Sequence, residues 1–151
     1  MKPKIGLLAT ARKKAHSPAA VIDFYRSPLF RKSILYAQQT YDRLYFYNAK
    51  DGLLLPDQIM EPYDVSIRTL SLGSRRAWGR KVIRELTTRE DLSAAQLFLH
   101  GGKVYRNYLE PALGELGISF TVPLEGMSIG KQLQWYDVHT SSRAQDPGHI
   151  S

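Results

Sequence analysis

The chain has 151 residues, 43% of them hydrophobic and 23% charged, which suits one domain with a buried core and excludes a disordered segment. It contains no cysteine, so disulfides, thiolate metal sites and a cysteine nucleophile are excluded, and a reducing compartment fits. The formal charge of +7 lies wholly in residues 1–32, where eight cations face one anion, while the remainder is neutral; a basic segment on a neutral body suits a polyanion, since each neutralised phosphate releases counterion, although a solvated face has the same composition.

The start, MKPKIGLLATARKK, lacks the long apolar region and cleavage site of a signal peptide, and no later stretch could span a bilayer, so a soluble cytoplasmic protein is expected. Lys4–Thr10 (KIGLLAT) reads as a buried first strand, followed over 11–18 by a polar loop whose Arg12, Lys13 and Lys14 are candidate phosphate contacts. Over Ala19–Thr40 apolar residues recur at helical spacing, but Ser27-Pro28 interrupts them and predicts two helices rather than one. Arg43–Ala49 (RLYFYNA) is an aromatic-rich strand. Lys50–Tyr63 has Gly, two Pro and no clean period, which predicts a long ordered loop of the kind that carries function.

Ser74–Thr87 is an amphipathic helix with Ser74 as its N-cap. Arg75, Arg76, Arg80, Lys81 and Arg84 stud it around Trp78, either tracking a nucleic-acid backbone or forming a solvated face with the nearby acids. Ala95–His100 is a strand, turned by Gly101-Gly102 into the helix Lys103–Leu116. Ile118–Val122 reads as a last strand, and a closing helix follows near Lys131–Tyr136. The expected organisation is one α/β domain over 1–136 with a flexible tail over 137–151. Its strands and helices alternate, predicting a three-layer α/β/α sandwich around a mostly parallel sheet of about four strands. Ligands of such sheets bind outside the carboxyl ends of the strands, which makes 10–17, 48–64, 100–105 and 123–130 neighbours.

Asn48, Lys50 and Asp51 leave the second long strand together, followed by Glu61, Tyr63 and Asp64. Acids clustered with an amide and a lysine are what water activation or cation stabilisation needs, although Asp51-Gly52 and Pro62-Tyr63-Asp64 also suit plain turns. His100-Gly101-Gly102 before a helix would let a phosphate or base approach the backbone, or would simply be a tight turn beside a buried histidine. Tyr105 and Tyr108 share a helical face, which suits core packing or stacking on a flipped base. The histidines are scattered, so no metal site is expected, and neither a P-loop nor G-x-S-x-G occurs.

Y-x-S-P-L-F-R-K at Tyr25–Lys32, AK-x-GLL-x-P at Ala49–Pro56, I-x-EPYD at Ile59–Asp64, G-x-x-Y-x-x-x-L-x-P at Gly102–Pro111 and PLEGMSIGKQLQWY at Pro123–Tyr136 follow one another in order. This pattern, over about 5–136, resembles an uncharacterised bacterial and phage domain family distantly similar to the peroxide-stress YaaA proteins. The resemblance implies a uracil-DNA-glycosylase-like fold and, in one branch, phage-defence glycosylases that remove glucosylated hydroxymethylcytosine. Many members have Cys-Ser/Gly-Lys after the first strand, where this chain has Thr10-Ala11-Arg12-Lys13-Lys14, and Asp51 stands where a Tyr or His often precedes GLL.

The leading expectation is a metal- and cofactor-independent DNA glycosylase acting on a modified base, with DNA as partner and no obligate protein partner. Asp51 or Asp64 would stabilise the sugar cation, and Asn48 or His100 the departing base. Lys50, Glu61, Tyr63, Gly101, Gly102, Tyr105 and Ser128 would line the substrate site, and Arg12, Lys13 and Lys14 would hold DNA around a flipped nucleotide. The alternatives are a non-catalytic DNA-binding stress protein of the YaaA type and an enzyme or transferase processing free nucleosides or nucleotides.

Overall fold

A computed structural model describes residues 1–11 and 17–140. Its strands are β1 (Lys4–Ala9), β2 (Ala19–Ala20), β3 (Arg43–Asn48), β4 (Gly52–Leu54), β5 (Ile59–Met60) and β6 (Gln96–Leu99). Its helices are α1 (Val21–Phe24), α2 (Pro28–Thr40), α3 (Leu72–Arg89), α4 (Lys103–Glu115) and α5 (Ile129–His139), with single 3₁₀ turns at Ile67–Thr69 and Leu92–Ala94.

The main sheet runs β4-β3-β1-β6. β1 is parallel to both neighbours, with Leu7 opposite Tyr45 and Leu99, and β4 closes one edge as an antiparallel hairpin with β3. Successive strand residues face opposite sides, and the sequence fills both sides with apolar groups. Ile5, Leu7, Tyr45 and Tyr47 pack with Val82, Ile83 and Leu86 of α3 and Leu109 and Leu113 of α4. On the other face, Leu8 and Phe46 meet Phe24 of α1 and Phe30, Ile34 and Ala37 of α2. The result is the expected layering of helices on both faces of a mostly parallel four-stranded sheet. Within their shared layer α3 and α4 pack closely: a methyl group on Gly79 of α3 would sit 2.0 Å from the Tyr108 carbonyl of α4.

The break at Ser27-Pro28 separates α1 from α2, because Ser27 Oγ accepts from the Phe30 N–H and Pro28 opens the helix, where no N–H is needed. Other expectations are corrected. The stretch 50–63 is not one loop: Gly52–Leu54 pairs with β3, and Ile59–Met60 pairs with Ala19-Ala20 in a small second sheet. Helix α3 begins before Ser74, since Ser71 caps it by accepting from the Ser74 N–H. The strand expected over 118–122 shrinks to one parallel bridge, Phe98 to Thr121. The closing helix expected near Lys131–Tyr136 is longer at both ends, Ile129–His139. Residues 141–151 of the expected tail, and the phosphate candidates Arg12, Lys13 and Lys14, lie outside the described residues. No helix among the described residues is long and apolar enough to cross a membrane.

Candidate functional site

β1 leads toward α1 and α2 on one face of the sheet, whereas β6 leads into α4 on the other. Where connections diverge in this way a crevice opens beyond the strand ends. A cleft of about 350 Å³ occupies it, lined by Thr10-Ala11 after β1, Asn48-Ala49 at the end of β3, the stretch 63–68, and Val104-Tyr105 in the first turn of α4. Three of the four stretches expected to be neighbours therefore meet. The fourth, 123–130, does not line this cleft.

Asn48 is 2% exposed and its side chain is fully engaged. Its Oδ1 accepts from the Asp51 N–H at 2.6 Å, while Nδ2 donates to Asp51 Oδ2 at 3.1 Å and to Tyr25 Oη at 3.4 Å. Its carbonyl accepts from Trp78 Nε1. Asn48 thus locks the β3–β4 turn, and Asp51 is the other half of that lock. The Asp51 carboxylate is directed at Asn48 and paired at 3.9 Å with Lys50, and it does not line the cleft.

Tyr63 and Asp64 do line it. The Tyr63 hydroxyl shares a 2.6 Å hydrogen bond with Tyr25 Oη, and Lys50 Nζ stands 5.5 Å from its ring. Burial, then the bond to Tyr25, pushes the Tyr63 pKa well up, so it remains a neutral hydroxyl across the physiological range. Asp64 is exposed on the cleft wall, with Arg68 four residues on along the same wall. Tyr105 forms the opposite side and is fixed by ring contacts to Tyr47 at 5.4 Å and Trp78 at 5.6 Å.

α4 enters the cleft by its N-terminus. Gly102 is its N-cap and supplies no side-chain cap; the Tyr105 N–H turns back to the Gly102 carbonyl at 3.1 Å, which leaves the Lys103 and Val104 amides to face an anion at the positive end of the helix. Gly101 is required by shape: its φ is +124°, and a methyl group there would lie 1.9 Å from Tyr47 Oη. Tyr47 Oη in turn donates to the His100 carbonyl.

The structure separates the other candidates. His100 follows β6, and β1 lies between it and Asn48, a span of about 10 Å at ordinary strand spacing. Its ring is 3% exposed, with Nε2 2.5 Å from Tyr41 Oη and Nδ1 2.6 Å from Tyr136 Oη. Burial lowers its pKa to about 4, so it is neutral. Ser128 caps α5 by accepting from the Lys131 N–H, and Glu61 is exposed beyond β5; neither lines the cleft. On α3, Trp78 is buried, Arg75 donates to the carbonyls of Ile67, Arg68 and Leu70, and Arg80 pairs with Glu115, so part of that basic face is already engaged.

Two residues of the site escaped the sequence. Tyr25, 1% exposed, joins the Tyr63–Asn48 network from α1's end. It stands inside the first quoted motif, where only its aromatic character was legible. Arg68 sits in a 3₁₀ turn with no local pattern to mark it. Among the described residues no group of three His, Asp or Glu side chains could hold a metal ion.

Residues 5–138 match the family of unknown function DUF6884, nearly the whole described chain, and the protein belongs to that family. No curated protein and no solved structure is matched.

Proposed function

We propose that this DUF6884 member hydrolyses the N-glycosidic bond of a modified base in DNA, with Asp64 as the carboxylate that faces the sugar. The observation that carries the proposal is the composition of the cleft, in which an exposed carboxylate, an aromatic wall at Tyr105 and an uncapped helix N-terminus line one cavity. Rupture of the bond from C1′ to the base builds positive charge on the sugar and negative charge on the departing base. Asp64 stabilises the first and takes a proton from the attacking water, whose oxygen bonds to C1′. The bonding pair leaves with the base, which then takes up a proton, while the Lys103 and Val104 amides at the start of α4 hold the neighbouring phosphate. Asn48 and Asp51 act behind this, holding the β3–β4 turn and, through Tyr25, the Tyr63 wall.

The likeness to YaaA proteins, to the uracil-DNA-glycosylase fold and to phage-defence enzymes belongs to this proposal. It makes phage DNA with glucosylated hydroxymethylcytosine the first substrate to test. Incubation with DNAs of differing base modification, scored by mass spectrometry for released base and for abasic sites, is the test. Release from one modified DNA supports the reading, and binding without release from any DNA returns it to a binding protein of the YaaA type. A second reading is favoured by Arg68, which lines the cleft with Asp64 and suits the phosphate of a free nucleotide. Base release from free nucleotides but not from DNA would select it.

A further inference from the structure

A second cavity, about 390 Å³, opens on the α2–α5 side of the β1 exit and shares Thr10 and Ala11 with the cleft. Its volume falls within the usual range of small-molecule sites. Besides Ala9–Ala11, three segments far apart in sequence build it: Ser27, Leu29 and Phe30 at the start of α2, His100-Gly101 after β6, and Gln132 and Tyr136 on α5. Ser27, Leu29 and Phe30, and likewise Gln132 and Tyr136, have no part in the glycosidic chemistry above.

The two cavities differ in chemistry. Asp64 and Arg68 give the cleft charge, whereas the second cavity is walled by Ala9, Ala11, Leu29 and Phe30 and has no charged side chain among its described lining residues. Its polar groups are placed to read hydrogen bonds. A neutral imidazole carries one N–H, so His100 donates to one of Tyr41 and Tyr136 and accepts from the other. If Nδ1 donates to Tyr136, the tyrosine proton is left for a ligand; if Tyr136 donates to Nδ1, its oxygen is left to accept. In both tautomers Tyr136 Oη keeps one hydrogen-bonding capacity at the cavity wall. Gln132 donates to the Met127 carbonyl at 3.0 Å, which leaves its Oε1 without a partner among the described residues.

We propose that this second cavity is the base-recognition subsite: it takes a neutral, nucleobase-sized heteroaromatic ring, while the adjoining charged cleft takes the attached sugar and phosphate. The proposal rests on the glycosidic reading above. Uncharged apolar walls accept a flat ring, Tyr136 and Gln132 read its edge, and Thr10-Ala11 is the common border that the glycosidic bond would cross.

The test uses the full chain, free cytosine, 5-hydroxymethylcytosine and adenine as ring probes, and ribose 5-phosphate as the contrasting probe, followed by amide NMR shifts. The bases should perturb Leu29, Gly101 and Gln132, and ribose 5-phosphate should perturb 64–68 and Val104. Tyr136→Phe should weaken base binding about tenfold, the loss of one hydrogen bond. Leu29→Trp should abolish it by filling the cavity, and Asp64→Asn should leave it intact. Melting temperatures identify any variant that fails to fold, and Gln132→Leu then serves in its place. No shift at millimolar base, shifts confined to 64–68, or base affinity unchanged in Leu29→Trp and Gln132→Leu overturns the subsite. Base release from DNA by a protein that binds no free base refutes the subsite alone. Base binding without release from any DNA or nucleotide refutes the glycosidic reading and keeps the subsite as a ring-binding site.

Discussion

Asn48→Asp changes one nitrogen to oxygen at nearly constant volume, and the structure predicts that this small change is costly in a pH-dependent way. The new oxygen would replace Nδ2, which now lies 3.1 Å from Asp51 Oδ2, in a site where residue 48 is 2% exposed. Two unit charges about 4 Å apart repel by about 4 kcal/mol at an effective dielectric near 20. Solvent at the 31%-exposed Asp51 side chain reduces this, to about 2–3 kcal/mol of lost stability at neutral pH. The pair would hold one proton more tightly folded than unfolded, so its folded pKa is raised. A raised carboxyl destabilises the fold above its unfolded pKa, and the loss grows as pH rises from about 4 until the folded pKa is passed. Once the pair holds one proton, that acid can donate to the other and the repulsion is gone, so the loss relative to wild type shrinks as pH falls toward about 4. Urea unfolding of both proteins at pH 4 and pH 8 measures it. Equal stability at pH 8 would refute the placement of the two side chains.

Further consequences follow from other contacts. His100 is neutral when folded, with its pKa lowered to about 4 by burial, so it binds protons less readily folded than unfolded; stability should decline as pH falls from about 6.5 toward 4, and His100→Gln should flatten that part of the profile. Gly101→Ala combines a φ of +124° with a contact of 1.9 Å to Tyr47 Oη and should cost at least about 2 kcal/mol, read as a fall in melting temperature; an unchanged melting temperature contradicts the described turn. Joint replacement of Arg12, Lys13 and Lys14 by Ala should weaken DNA binding and flatten its salt dependence, since the net charge is concentrated in 1–32; an unchanged slope removes these cations from the interface. Activity should survive EDTA, and its loss with recovery on adding a divalent ion would replace the proposed hydrolysis with metal-assisted chemistry.

The sequence carried the layers of the fold well and the orientation of the site poorly. Apolar runs at Ile5–Leu8 and Tyr45–Tyr47 are continuous because both sheet faces are covered, and Ser27-Pro28 marks a helix start through its capping chemistry. The three residues of β4 and the two of β5 are too short to show a period, and their pairing is supplied by distant partners. Ser74 reads as a cap in sequence, but its N–H donates to Ser71 Oγ, which places the cap three residues earlier. Strand ends placed Asn48 and His100 near the crevice, but the strand order put β1 between them. Asp51 and Asp64 were indistinguishable as exposed-loop acids. Asn48 turns Asp51 inward and leaves Asp64 on the cleft wall.

That distinction is also where the account is most directly tested. Asp64→Asn and Asp51→Asn each remove one charge at constant size, and single-turnover base release from the responsive modified DNA compares them. With Asp64 facing the reacting sugar as proposed, Asp64→Asn should lower release by roughly three decades, about 4 kcal/mol of barrier, with DNA affinity and melting temperature retained. Asp51→Asn should lower stability and slow release far less, because Asp51 acts only through Asn48 and the turn. Full release by a folded Asp64→Asn protein, or the larger loss in Asp51→Asn, would contradict the assignment of Asp64 as the catalytic carboxylate.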